Sequence, residues 1–272
     1  MIFNFKKIVY LFLPVLIVLL SFVIFLFIKK SEKKVRNEIR ITFREGLNIH
    51  EVADLLQFNG VVKKQDFFET CASQDFKNEF EFLKNESKDK YFPLEGYLFP
   101  DTYDFLKNEN PVDVVKKFLN NFKSKTSNLK IPENFNLEQI LMIASFLEAE
   151  SKLESSKDVS SVIHNRIGTF ETNGKNKFGE YGLNLLQLDS TMYYPYKSKE
   201  EAPDNFHSIY NTYEIKGFPP GPINSPGMQF IMDALNPNVT DFFYFCSDEN
   251  EKIYFSKTYN EHYKTLKAIG LR

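Results

Sequence analysis

Hydrophobic and polar positions divide the chain into a long apolar head and a patterned body. Residues 8–28, IVYLFLPVLIVLLSFVIFLFI, carry no charge and are interrupted only by Pro14 and Ser21. At about 1.5 Å per residue a helix of this length spans the roughly 30 Å hydrocarbon layer of a bilayer. Residues 25–28 run straight into Lys29 and Lys30 with no small-residue cleavage site, so the pattern predicts an uncleaved anchor and not a signal peptide. Lys6 and Lys7 lie before it, and Lys29, Lys30, Lys33, Lys34 and Arg36 after it. Counted alone, those positive charges place the bulk of the chain in the cytoplasm.

Beyond a polar linker at 31–38, Ile39 and Ile41 alternate with Arg40 and Thr42 as in a strand, closed by a turn at Glu45-Gly46. Ile49, Val52, Ala53, Leu55 and Leu56 recur at helical spacing and stop at Asn59-Gly60, a helix with a glycine C-cap. Val61-Val62 and a second helix around 65–72 complete a unit whose size suits binding or spacing more than chemistry. Residues 73–90 are charge-rich and aperiodic, which predicts a boundary or a mobile connection. In 92–105, FPLEGYLFPDTYDF, two prolines and a glycine alternate with Phe and Tyr, predicting a rigid, side-chain-packed segment without regular structure. Residues 111–122 read as a helix with Val112, Val114, Val115, Phe118 and Leu119 on its apolar side.

The strongest helix begins near Asn136 and continues LEQILMIASFLEAESK, where residues 141–147 are all apolar or small, so it is buried on nearly all sides. Glu148 and Glu150 follow directly. At 100° per residue Glu148 lies beside Leu141 and Ala144, and Glu150 beside Ile143 and Phe146. Both flank the apolar face, and periodicity does not choose between them; the alternative is that both stand in water in a frayed last turn. In LLQLDSTMYYPY (185–196), Gln187, Asp189, Thr191 and Tyr193 alternate at period two and would share one face of an extended segment. In 210–227, YNTYEIKGFPPGPINSPG, four prolines and three glycines between 217 and 227 exclude helix or central strand. These two stretches read either as a wet strand edge and a surface loop, or as a groove for a polar polymer. A rigid Pro/Gly loop bordered by Tyr210, Asn211, Thr212 and Tyr213 supplies the aromatic faces and fixed donors such a groove requires.

Composition narrows the chemistry. The 272 residues are 43% apolar, with 34 Lys+Arg against 36 Asp+Glu, too apolar and mixed in charge for a disordered or fibrous chain. The first thirty residues hold four lysines and no acid, so positions 31–272 carry 30 basic against 36 acidic side chains, a balance of −6. That argues against a nucleic-acid partner. Cys71 and Cys246 lie far apart and the four histidines are scattered, so neither a disulfide framework nor a metal site is indicated. With no tryptophan, Tyr and Phe are left to stack on a ligand.

LEGYLFPDTY (94–103), ASFLEAE (144–150), VIHNRI (162–167), LQLDSTMYY (186–194), YNTY with GFPPGPINSPG (210–227) and FSKTYNEH (255–262) occur in the order and spacing of the endolytic murein transglycosylase (YceG-like) family, which the chain resembles over residues 39–266. The resemblance implies an α+β protein: a cytoplasmic tip and transmembrane helix (1–30), a linker (31–38), a LysM-like α/β subdomain with its connection (39–90) and an α+β catalytic domain (91–272). It also implies a single-pass protein of the cytoplasmic membrane with its catalytic domain outside, against the charge count. Its substrate would be peptidoglycan glycan strands, with peptidoglycan synthases as candidate partners and no cofactor. In the family the first acid of the segment matching ASFLEAE is the catalytic glutamate, here Glu148. Gln187, Asp189, Thr191, Tyr210, Asn211, Thr212 and Tyr213 would hold the sugars. The chain departs from the family at Ala149, where a lysine is usual, at Phe146-Leu147, where an aliphatic pair is usual, and at Ile253, where a histidine is usual.

The implied reaction cleaves the β-1,4 MurNAc–GlcNAc bond without water, leaving 1,6-anhydro-MurNAc ends and limiting strand length. One carboxyl suffices, because the C6 hydroxyl of the same sugar is the nucleophile. A hydrolase would need a second carboxylate, for which Asp189 is the candidate. A membrane-anchored glycan-binding scaffold would need no catalytic acid.

Overall fold

The computed structural model describes residues 38–73, 75–84, 87–172 and 174–272. Strand β1 (Glu38–Thr42) forms where Ile39 and Ile41 alternate with polar residues, and it pairs with β2 (Thr102–Leu106). The Thr42 and Thr102 hydroxyls lie 2.8 Å apart and Arg40 meets Asp104 at 2.7 Å, so partner numbers fall as β1 advances and the pair is antiparallel. β2 corrects the expectation of an irregular 92–105. The prolines end at Pro100, which frees Tyr103 and Phe105 to alternate with polar residues and turn inward against Phe43 and Phe118.

Helix α1 (Ile49–Phe58) starts at a capping box in which Asn48 and Glu51 satisfy each other's amides. It ends as expected at glycine: Gly60, at φ +71°, lets its own amide reach Gln57 O and that of Val61 reach Leu56 O. Helix α2 (Lys64–Ser73) follows, and then two short 3₁₀ turns place Phe76, Phe80 and Leu83 in the core. Helix α3 (Pro111–Thr126) is capped by Asn110 with proline in its first turn. Helix α4 (Leu137–Glu150) is capped by Asn136 and Gln139, and residues 140–147 are buried on every side, as the unbroken apolar run predicts. It packs against α5 (Ser156–Ile167) and α6 (Met228–Leu235). A hairpin of β3 (Tyr244–Ser247) and β4 (Ile253–Ser256), and helix α7 (Tyr259–Ala268), complete the α+β architecture.

Residues 185–196 are not extended as expected. A 3₁₀ turn at Asp189–Thr191 interrupts them, and the Thr191 hydroxyl bonds back to Leu188 O. Such a local side-chain bond competes with extended backbone. Gln187, Asp189 and Thr191 therefore do not share one face: Thr191 is fully buried, whereas Gln187 and Asp189 line a groove.

The cellular placement expected from the sequence also requires correction. Among the described residues no helix is long and apolar enough to cross a membrane, and the run at 8–28 on which the single-pass reading rests lies outside them.

Two ionic features sit inside the apolar mass. Lys90 and Glu138 form a buried pair at 3.0 Å. Glu95, wholly buried, accepts the Ile49 amide at the start of α1 (3.1 Å) and the Tyr194 hydroxyl (2.8 Å) on the same oxygen. Burial pushes its carboxyl up to about 7. An acid raised in the folded state adds stability in full below its unfolded value near pH 4.3, and that stability is lost as pH rises through about 7. The thermal midpoint is therefore expected to fall between pH 5 and pH 8. Glu95→Gln, which keeps an acceptor for both donors, should remove part of that fall, up to about 3 kcal/mol. Melting curves of both proteins at the two pH values check this, and equal slopes contradict it.

Candidate active site

The last turn of α4 stands between two clefts, and its two glutamates point into different ones. Glu148 is half-buried against the turn that joins β1 to α1. Gly46 in that turn has φ +77°, a conformation glycine adopts without cost, and a Cβ there would lie 3.1 Å from Glu148 Cγ and 3.5 Å from its Oε1. On the other side Gly227, the N-cap of α6, donates its amide to Glu148 Oε2 at 3.0 Å. Turn and loop are joined by two backbone bonds, Gly46 N to Ser225 O (3.0 Å) and Ser225 N to Leu47 O (2.9 Å). Ser145, one turn earlier on α4, fixes the same loop: its hydroxyl accepts the Ile223 amide and its carbonyl accepts from Asn224. The Pro/Gly loop of the sequence is thus one wall of the Glu148 cleft.

Desolvation pushes the Glu148 carboxyl up to about 7; the Gly227 amide opposes this, and the nearby Glu45 carboxylate adds to it. Such a group carries a transferable proton at neutral pH. Because Gly227 donates to Oε2, that oxygen is the acceptor, and Oε1 is the one left to hold the proton.

Glu150 does not fray into water. It is more deeply enclosed, accepts the Ser190 amide at 2.8 Å, and is raised chiefly by burial, with the charge of Asp189 adding to it. It lines a groove of about 1100 Å³ together with Arg166, Gln187, Asp189, Tyr213 and Tyr244. Two residues, or about 3 Å along the helix axis, separate the position of Glu150 from that of Glu148.

The other residues singled out from sequence divide into two groups. Gln187, Asp189 and Tyr213 line the groove: Gln187 sits at φ +50°, unusual for a residue with a side chain, and the Tyr213 hydroxyl donates to Asp189. Asn211 is half-buried beside them, its side chain accepting the Tyr213 amide at 3.1 Å. Thr191, Tyr210 and Thr212 are fully buried. The two threonine hydroxyls meet at 2.8 Å, Thr212 also takes the Leu188 amide, and Tyr210 stacks on Tyr91 and packs on Tyr194. These three shape the groove from behind.

The motif VIHNRI fastens the groove's far side. Its three polar residues all bond main-chain carbonyls: the His164 ring meets Ala234 O, Asn165 donates to Thr240 O and Phe242 O, and Arg166 donates to Phe243 O and Leu186 O. Burial lowers the Arg166 guanidinium to about 10, so it stays charged at neutral pH. In the sequence the motif carries no sign of these bonds, and Glu45, Gly46 and Gly227 read there as turn and loop residues. The available signal was an acid followed by glycine immediately before a capping box.

An acid raised to about 7, held between the Gly46 turn and the Gly227 amide and two residues from the Glu150 that lines the groove, has the protonation behaviour of a general acid and base. Known proteins resemble the chain over most of its length. The endolytic murein transglycosylase of Bacillus subtilis (strain 168) is 30% identical over 241 residues, covering 83% of this chain and 63% of that protein. The endolytic murein transglycosylase of Streptococcus pneumoniae serotype 2 is 28% identical over 244 residues, covering 82% of this chain and 43% of that protein. The chain thus spans under two thirds of the length of the curated relatives it matches. A crystal structure of a yceG-like protein from Listeria monocytogenes aligns with a TM-score of 0.67 at 25% identity, over 83% of this chain and 75% of that one. The model of the YceG-like family matches residues 24–268, and the chain therefore belongs to that family.

Proposed function

We propose that this chain is an endolytic murein transglycosylase that cleaves peptidoglycan glycan strands, with Glu148 as general acid and then base. The observation that carries this reading is the Glu148 carboxyl, raised to about 7, with one oxygen held by Gly227 and the other free for the strand. Protonated Oε1 gives its proton to the glycosidic oxygen as the bond to the anomeric carbon breaks. The C6 hydroxyl of the same sugar attacks that carbon, and the carboxylate takes up the hydroxyl proton, closing the 1,6-anhydro ring and restoring the acid. Proximity of a hydroxyl within the same ring replaces water as the nucleophile. The Gly227 amide stabilises the carboxylate formed between the two proton transfers.

Gln187, Asp189, Asn211 and Tyr213 hold sugars flanking the scissile bond, with tyrosine faces supplying the stacking surface, and Thr191, Tyr210 and Thr212 keep that wall in shape. Hydrolysis with Asp189 as the second carboxylate is less well supported. Asp189 is engaged by Tyr213 and its charge bears on Glu150, whereas Glu45 is the charge that bears on Glu148.

On purified uncrosslinked strands, kcat/KM is expected to fall as pH rises above about 7, because Glu148 loses its proton there. Glu148→Gln should lower the rate by roughly 10²–10⁴. Mass spectrometry of the products should find anhydro ends. Reducing ends that vanish in Asp189→Asn would establish the hydrolase instead, and a Glu148→Gln enzyme of near-normal rate would falsify the assignment. Glu150→Gln should act mainly on KM, since its side chain orders Ser190 at the groove.

Gly46→Ala tests the turn. The substitution places a side chain at φ +77° and presses on Glu148, so it should cost about 1 kcal/mol of stability and at least about tenfold in kcat/KM. Denaturant unfolding and steady-state kinetics on the same preparation separate the two effects. Full activity would show that the turn does not bound the acid.

A further inference from the structure

Gly227 lacks a side chain for a reason its backbone does not explain. Its φ of −69° and ψ of 159° are open to any residue. An ideal Cβ would fall 2.1 Å from both Cδ and Oε1 of Glu45, the end of an exposed side chain that would have to move aside. The carboxylate of Glu45, contributed by the turn after β1, thus lies in the space that a side chain at 227 would take. The same Gly227 donates its amide to Glu148, so a path of short steps through one residue puts the two carboxyls within about 8 Å of each other.

We propose that Glu45 is a positioning residue for the reaction at Glu148, acting as the negative neighbour that keeps the acid's proton in place until the strand is bound. The inference rests on the reading of Glu148 as the acid. The surrounding groups leave this task to Glu45. Residues 219–227, which form the facing wall, hold no ionisable side chain, and the first turn of α6 is Met228, Gln229 and Phe230. Farther along α6, Asp233 is buried on Ser156 and Gln229. On α1, Glu51 is paired with Lys197 and His50 packs on Phe68 and Phe92. Arg44 is exposed beside Glu45. On α4 itself Glu150 turns to Ser190 in the other cleft. Burial is the main cause that raises Glu148, and the charge of Glu45 adds to it.

The test compares pH profiles of kcat/KM on uncrosslinked glycan strands for the intact protein and for Glu45→Gln, Glu45→Ala, Glu45→Asp, Gly227→Ala, the Glu45→Ala/Gly227→Ala double variant and Glu148→Gln, with melting curves to establish folding. Removing the negative neighbour lowers the pH at which the acid ionises. Glu45→Gln and Glu45→Ala should agree with wild type within about twofold at pH 5.5 and lose roughly three- to tenfold at pH 8. Glu45→Asp should recover part of that loss. Gly227→Ala keeps the amide and tolerates the backbone but displaces the Glu45 carboxylate, so it should show the same loss at pH 8. In the double variant the space is vacant, and Gly227→Ala should add nothing to Glu45→Ala. An unmoved profile in folded Glu45 variants, an equal loss at every pH, or additive single effects would each overturn the proposal. If Glu148→Gln is inactive while the Glu45 profiles do not move, the proposal fails alone. If Glu148→Gln stays active, the reading of the acid fails with it.

Discussion

Two backbone hydrogen bonds between Gly46, Leu47 and Ser225 hold the site together. They tie the turn after β1 directly to the Pro/Gly loop on either side of Glu148. Each bond contributes only about 1 kcal/mol net. Their weight comes from what they align: the Gly46 backbone on one side of the acid, the Gly227 amide on the other, and Glu45 across the gap. Glu95 secures this arrangement from below by holding the first amide of α1, immediately after the turn, and by tying it to Tyr194 in the segment that carries Asp189. A buried carboxyl is a costly way to make that junction, and its two donors are what make it tolerable.

The end of α4 separates two kinds of acid by geometry alone. Glu148 and Glu150 are both withdrawn from water, yet one meets a single amide and a glycine surface while the other is enclosed and bonded to Ser190. The first retains an oxygen, Oε1, beyond the one held by Gly227. Helical periodicity put both on flanks of the apolar face and could go no further, because the choice depends on what packs against each flank, and those partners come from residues 45–46, 225–227 and 189–190.

The elements governed by local chemistry were legible in the sequence. The apolar run of 141–147 announced the buried helix and its start near Asn136, and Asn59-Gly60 announced the end of α1. Misreadings arose where a side chain answered its own backbone or where proline masked what followed. The Thr191 hydroxyl bonded to Leu188 converts an apparent period-two face into a turn, which buries Thr191 and leaves Gln187 and Asp189 in the groove. Pro100 hid a strand that begins two residues later. Tyr210 and Thr212 have the composition of a sugar-binding edge, and their burial is a property of Tyr91, Tyr194 and Thr191, which no spacing rule connects to them. The role of VIHNRI was equally out of reach, since its partners are main-chain carbonyls whose identity sequence does not display.

The clasp between residues 46 and 225 also orders events in time. Its halves lie 179 residues apart in sequence, so the turn bearing Glu45 leaves the ribosome long before its partner is made. Contacts of such separation carry a larger loop-closure cost than those within a helix. A chain that stops short of 225 holds both glutamates of α4 but no wall around the first, and so contains the acid without its environment. The surroundings of Glu148 are thereby completed only when residues 225–227 are in place.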